Sequence, residues 1–160
     1  MMIKYRKVNF ETMHEVNLDA FVKLSEEWEQ EQCSSAYSAN TKDYYRDKEL
    51  FMAMDEAKII GYALGTIKEL SQATSYNQVG ERVFELDELF VSKPYRNQKV
   101  GQGLFKFVEA CVASQVDLIG VIANASDYKK LLSLYIEDLG MDFKHALLIK
   151  RTHDHNGKIS

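Results

Sequence analysis

Residues 83–91 read VFELDELFV, residues 92–99 SKPYRNQK and residues 100–111 VGQGLFKFVEAC, and this run decides how the rest of the chain is arranged. Val83, Leu89, Phe90 and Val91 are β-formers over a short span, so the run opens as a strand. It turns through Ser92-Lys93-Pro94, which holds the only proline of the chain. From Val100 the apolar residues Leu104, Phe107, Val108 and Cys111 recur at helical spacing. Gly101 and Gly103 fall in the first turn of that helix. The opening amides of a helix lack intrahelical acceptors and carry partial positive charge. Glycine lets a ligand come close to the backbone, and Arg96 and Lys99 add formal charge. A phosphate or pyrophosphate is therefore the expected guest. The competing reading gives the glycines only chain geometry and helix packing.

Leu86 to Val91, followed by Tyr95 to Leu104, resembles the acetyl-CoA signature of the GNAT superfamily of N-acetyltransferases. That signature is Arg/Gln-x-x-Gly-x-Gly/Ala after a strand ending in valine and a short turn. Arg96 and Gly101 match, whereas the middle glycine of the pattern is Lys99 here. If that position needs φ > 0, Lys99 is strained; if it only lends its N–H, the side chain can help hold a phosphate. The resemblance implies that Arg96, Asn97, Gln98, Lys99, Val100, Gly101, Gln102 and Gly103 hold the pyrophosphate of acetyl-CoA. It also implies that pantetheine lies along Leu89, Phe90 and Val91 as one more strand partner.

At 160 residues, one domain is the default, and it is long enough to bury a core. The reading is a single domain over 1–150 and a polar tail over 151–160. The apolar share of 46% and the charged share of 28% are ordinary for a soluble globular protein. A net charge of −4 argues against nucleic acid and permits a cationic substrate. No apolar run approaches a membrane span, and Met1-Met2-Ile3-Lys4-Tyr5 lacks the apolar core of a signal peptide. Cys33 and Cys111 make no disulfide framework, and Cys111 reads as a core thiol on the apolar helix face. The expected compartment is the cytoplasm.

Met2 to Val8 alternates as an opening strand. Thr12 and Glu15 fit a capping box ahead of a long helix with Leu18, Phe21, Val22, Ser25 and Trp28 on one face. Glu26, Glu27, Glu29 and Glu31 cluster at its far end, either as a solvated face or as a rim that attracts an amine. Thr41 to Leu50 reads as a short, tyrosine-rich second helix. Leu50 to Met54 and Lys58 to Leu70 pair through a tight turn at 55–57, and Ile59 to Ile67 resembles the third GNAT strand. Ser71 to Gly80 is a polar loop near the substrate side. Asp117 to Ala123 is a short strand, and Ser126 or Asp127 caps a helix carrying Leu131, Leu134, Tyr135 and Leu139 that Gly140 stops. Met141 to Lys150 is expected as a final strand. Helices set between strands imply an α/β fold with a mixed, mostly antiparallel sheet covered on both faces, which is also the GNAT arrangement.

Attack of an amine on a thioester needs a base, a donor to the oxyanion and a donor to the departing sulfur. Glu85, Asp87 and Glu88 crowd the signature strand, and strict alternation puts Glu85 and Asp87 on one face and Glu88 on the other. Clustered carboxylates raise one another's pKa, which suits a base near neutral pH. The resemblance implies Asp87, four residues before Val91, as that base and Glu88 as a hold on the amine. It likewise implies Tyr135 as the acid for the sulfur and Asn124, with Tyr128 nearby, as a contact to pantetheine. His153-Asp154-His155 lacks the further ligands of a metal site, so none is expected.

The function implied is an acetyl-CoA-dependent N-acetyltransferase acting by direct attack of a small primary amine, and the resemblance of LDELFV to the diamine and polyamine acetyltransferases implies a polyamine-like one. The competing reading is a non-catalytic acyl-CoA-binding sensor or partner-binding domain, with a homodimer open in either case. A nucleotide-binding P-loop is disfavoured, because no lysine–serine pair follows Gly103.

Overall fold

The computed structural model describes residues 2–32, 37–125 and 127–152. Strand β1 (Ile3–Val8) leads into helix α1 (Glu15–Glu31), a 3-10 turn (Lys42–Tyr45) and the hairpin of β2 (Glu49–Asp55) and β3 (Lys58–Glu69). Then come β4 (Arg82–Val91), α2 (Val100–Val112), β5 (Leu118–Val121) and α3 (Tyr128–Ser133), which continues as a π-helical turn (Leu134–Asp138). The five strands lie in the order β1-β2-β3-β4-β5. Strands β1 to β4 are antiparallel neighbours, and β5 runs parallel to β4.

The alternation of each strand splits the core in two, as a sheet with two covered faces requires. On one face Phe51, Ala63, Phe84 and Leu86 pack under Leu104, Phe105 and Val108 of α2. On the other, Leu50, Tyr62, Leu64 and Phe90 pack under Phe21 and Leu24 of α1. Cys111 is half-buried against the first of these clusters. Among the described residues no helix is long and apolar enough to cross a membrane.

Four local expectations are corrected. Helix α1 starts at Glu15 without a side-chain cap, because Thr12 folds back on the Asn9 carbonyl in a local turn. The second helix shrinks to the 3-10 turn, since Glu49 and Leu50 are drawn into β2 by pairing with β3. Asp127 precedes α3 without a capping hydrogen bond, and the alternative cap, Ser126, lies outside the described residues. Residues 141–150 form no strand. Beyond Gly140, which turns the chain at φ 69, Leu147, Leu148 and Ile149 stand 87%, 89% and 81% exposed, with no sheet neighbour to order them. Cys33 and the His153-Asp154-His155 run also lie outside the described residues.

Candidate active site

The centre of the site is an irregularity in β4. Gly65 faces Leu86 and Leu64 faces Glu88, so Asp87 is an extra residue with no partner on β3. Such a bulge breaks the two-residue alternation. Phe84 and Leu86 before it face α2, and so do Leu89 and Val91 after it. The expected division of the acids between the two faces therefore fails: Asp87 and Glu88 both make their contacts on the α1 side. No sequence pattern announces this shift.

Glu88 is a charged residue only 7% exposed. Its carboxylate accepts hydrogen bonds from the Tyr62 hydroxyl (3.0 Å) and from Nδ2 of Asn40 (2.8 Å). Asn40 is itself held by its amide on the Ser25 hydroxyl (3.0 Å). Around this network Trp28 stacks between Tyr37 and Phe90. Burial pushes the Glu88 pKa above its ordinary value, and the nearby Asp87 charge adds to the rise, against the pull of the hydrogen bonds. Asp87 is more open and is bound by Nζ of Lys48 (2.8 Å), with the Thr66 hydroxyl at 3.4 Å. Glu85 pairs outward with Lys68 (2.8 Å).

Beside the bulge the sheet forks. Strand β5 pairs β4 only from Val83 to Leu86, so the β5-side edge of Asp87 to Val91 has no strand neighbour among the described residues. A cavity of about 360 Å³ lies over the paired part of β4 and β5 and reaches the fork at Asp87; Val83, Glu85, Asp87, Leu118, Gly120 and Asn124 line it, with Tyr76 of the 71–80 loop. An extended chain with amide groups, such as pantetheine, fits an open strand edge of this kind.

At the start of α2, Lys99 sits at φ 63 and Asn97 at φ 59, both left-handed. The position that the GNAT pattern gives to glycine thus does need φ > 0, and lysine is strained there. Lys99→Gly is expected to stabilise the fold by up to about 1 kcal/mol in urea unfolding, the strain relieved less the added freedom of the unfolded chain. Gly103 allows close packing, since a Cβ there would strike the Tyr5 ring, whose hydroxyl donates to the Val100 carbonyl (3.3 Å). Arg96 is already engaged. It binds Glu31 through Nη1 (3.0 Å), donates from Nε to the Val91 carbonyl (2.8 Å) and lies over the Phe90 ring. Gln98 turns back to the Pro94 carbonyl, and Asn97 accepts from Lys130 of α3 at 3.4 Å. Glu27 accepts from Ser92 Oγ and the Lys93 amide. Two of the four clustered acids of α1 therefore pin the turn after β4.

Tyr135 is 6% exposed and packs edge-on against Phe105 of α2. Burial pushes its pKa up to about 12, and its hydroxyl makes no hydrogen bond among the described residues. Tyr128 is half exposed. The structure thus gathers Asp87, Glu88 and the free edge of β4 at one fork, while the Tyr135 ring packs against α2 with its hydroxyl not sealed from solvent. Asn40, Tyr62, Lys48 and Lys130 were not found from the sequence. Tyr62 lies in an apolar strand run that reads as core, and the others lie in polar segments whose partners are far along the chain.

The profile of the acetyltransferase (GNAT) family matches residues 11–141. No curated protein matches the sequence. Among solved structures, the aminoglycoside acetyltransferase meta-AAC0020 from an uncultured soil metagenomic sample, in complex with sisomicin, aligns at 15% identity with a TM-score of 0.68, covering 95% of this chain and 97% of that chain. A predicted acetyltransferase with acetyl-CoA from Clostridium acetobutylicum aligns at 14% identity with a TM-score of 0.65, covering 94% and 96%. Ribosomal-protein-alanine N-acetyltransferase from Brucella melitensis biovar Abortus 2308 aligns at 14% and 0.63, covering 94% and 99%. At such identities these likenesses speak for the fold, and the profile match speaks for the family. The forked sheet, the bulge in β4 and the glycine-bearing start of α2 stand inside the matched span, and the chain belongs to the acetyltransferase (GNAT) family.

Proposed function

We propose that the protein transfers an acetyl group from acetyl-CoA to the primary amine of a small molecule by direct attack. The observation that carries this reading is Glu88, a buried carboxylate with a raised pKa, set at a bulge beside an open strand edge. Acetyl-CoA supplies the activated acetyl group. The edge at Leu89, Phe90 and Val91, the backbone of the turn from Arg96 to Gly103, and Asn124 would hold it. Glu88 takes the proton that the amine must lose, since a carboxylate with a raised pKa is the better base near neutral pH. Asp87, next to it and bound by Lys48, adds its charge to the rise of the Glu88 pKa. Tyr135 keeps its proton through the neutral range and gives it to the departing sulfur.

Isothermal titration with acetyl-CoA is expected to show saturable heat at sub-millimolar concentration, and a flat titration removes this reading. A thiol-release assay over a panel of amines separates catalysis from the non-catalytic acyl-CoA sensor, which would bind and release nothing. Tyr135→Phe is expected to lower kcat by about tenfold while leaving acetyl-CoA affinity unchanged. The effect falls below that of a usual general acid because a thiol ionises near pH 8.5 and leaves readily. An unchanged kcat would remove Tyr135 from the role.

A further inference from the structure

The ammonium of Lys48, just before β2, is surrounded by three groups. Asp87 Oδ2 lies at 2.8 Å, the Thr66 hydroxyl at 3.3 Å, and the centroid of the Tyr44 ring at 5.0 Å. A carboxylate, a hydroxyl and an aromatic face together make a receptor for a primary ammonium. An ordinary surface ion pair would be worth less than about 1 kcal/mol and would say nothing about ligands. Two facts set this pair apart. The Lys48 and Asp87 side chains are only 22% and 29% exposed. The bulge also places the pair on the same side of the sheet as the neighbouring Glu88, and Tyr44 feels both carboxylates.

We infer that Asp87, Thr66 and Tyr44 form an ammonium subsite beside Glu88, and that Lys48 fills it so that acceptors with a second positive charge are excluded. This rests on the acetyltransferase reading only for the word acceptor; the subsite stands on its own contacts. A tethered ammonium competes at an effective concentration in the millimolar range or above. The second ammonium of a diamine would find its carboxylate taken and a like charge beside it, which is discrimination by repulsion. The protein is thereby set to prefer singly charged amines over polyamines. Lys48 also borders the cavity beside β1 and α1, with Arg46 and Asn9 on its wall, so its stem has room to swing away.

The test compares Lys48→Met and the double variant Lys48→Met/Asp87→Asn with the native protein. Binding of tetramethylenediamine and of butylamine is measured by calorimetry without acetyl-CoA, and rates are measured in parallel. Lys48→Met is expected to bind the diamine about tenfold more tightly, the combined worth of a partly buried ion pair and a cation–π contact. The diamine-to-monoamine ratio of kcat/KM should rise alongside, and adding Asp87→Asn should abolish the gain. No gain, an equal gain for butylamine, or a gain that survives Asp87→Asn overturns the inference. A binding gain in a protein that releases no CoA in any variant would uphold the subsite and sink the acetyltransferase reading instead.

Discussion

Glu88→Gln is expected to lower kcat/KM by roughly a hundredfold to ten-thousandfold, the usual worth of a positioned base. In the native protein the acid limb of the kcat/KM profile should lie above the ordinary carboxylate range, because burial favours the protonated form of Glu88. The variant should lose that limb. Glutamine keeps an oxygen for the Tyr62 hydroxyl and for Asn40 Nδ2, so the network of hydrogen bonds survives. The stability change has the opposite sign. A folded state that holds the proton more tightly than the unfolded chain loses stability as pH rises from the unfolded pKa through the folded one. At neutral pH the ionised Glu88 therefore costs stability, and the variant should unfold at a denaturant concentration no lower than the native protein. A stable, well-folded variant with native activity would remove Glu88 from the chemistry.

Gly65→Ala is expected to destabilise the fold by about 3 kcal/mol, the upper part of the overpacking range. A Cβ at Gly65 would run into the Glu85 carbonyl oxygen and the Phe84 ring. The backbone oxygen cannot move without shifting the ladder. For a chain of this size, that loss lowers Tm by about 10 °C. Gly65 faces Leu86 at the edge of the bulge, so activity should fall as well, measured on the fraction still folded. By contrast, alanine at Gly80 or Gly140 meets no neighbour within contact range, and there only the left-handed backbone would object. A Gly65→Ala protein with native Tm would show that the ladder beside the bulge can slide, and the register argument for Glu88 would fall with it.

Much of the fold was legible because it rests on local pattern. The continuous apolar runs of β2 and β3 mark strands buried on both faces, and the helical spacing of Val100, Leu104 and Val108 marks one face that must be buried. The reading of Val83 to Cys111 as strand, turn and helix agrees with β4 and α2 to within a residue or so at each boundary. The capping box at Thr12 was misread because Asn9, three residues earlier, offers a competing turn. The strand expected over 141–150 was misread because a β-forming composition needs a neighbouring edge before it becomes a strand.

At the site, residue types were visible and their arrangement was not. The acids of VFELDELFV, the basic turn after it and the glycines at the start of α2 stand in the sequence, since composition and spacing are local properties. Which acid is buried, that both acids turn to one face, that Lys99 is left-handed, and that Arg96 is spent on Glu31 were decided only by the tertiary structure. A bulge is a mismatch of register between two strands, and an ion pair joins residues 65 positions apart. Neither exists until distant parts of the chain are brought together, so no local pattern can encode them.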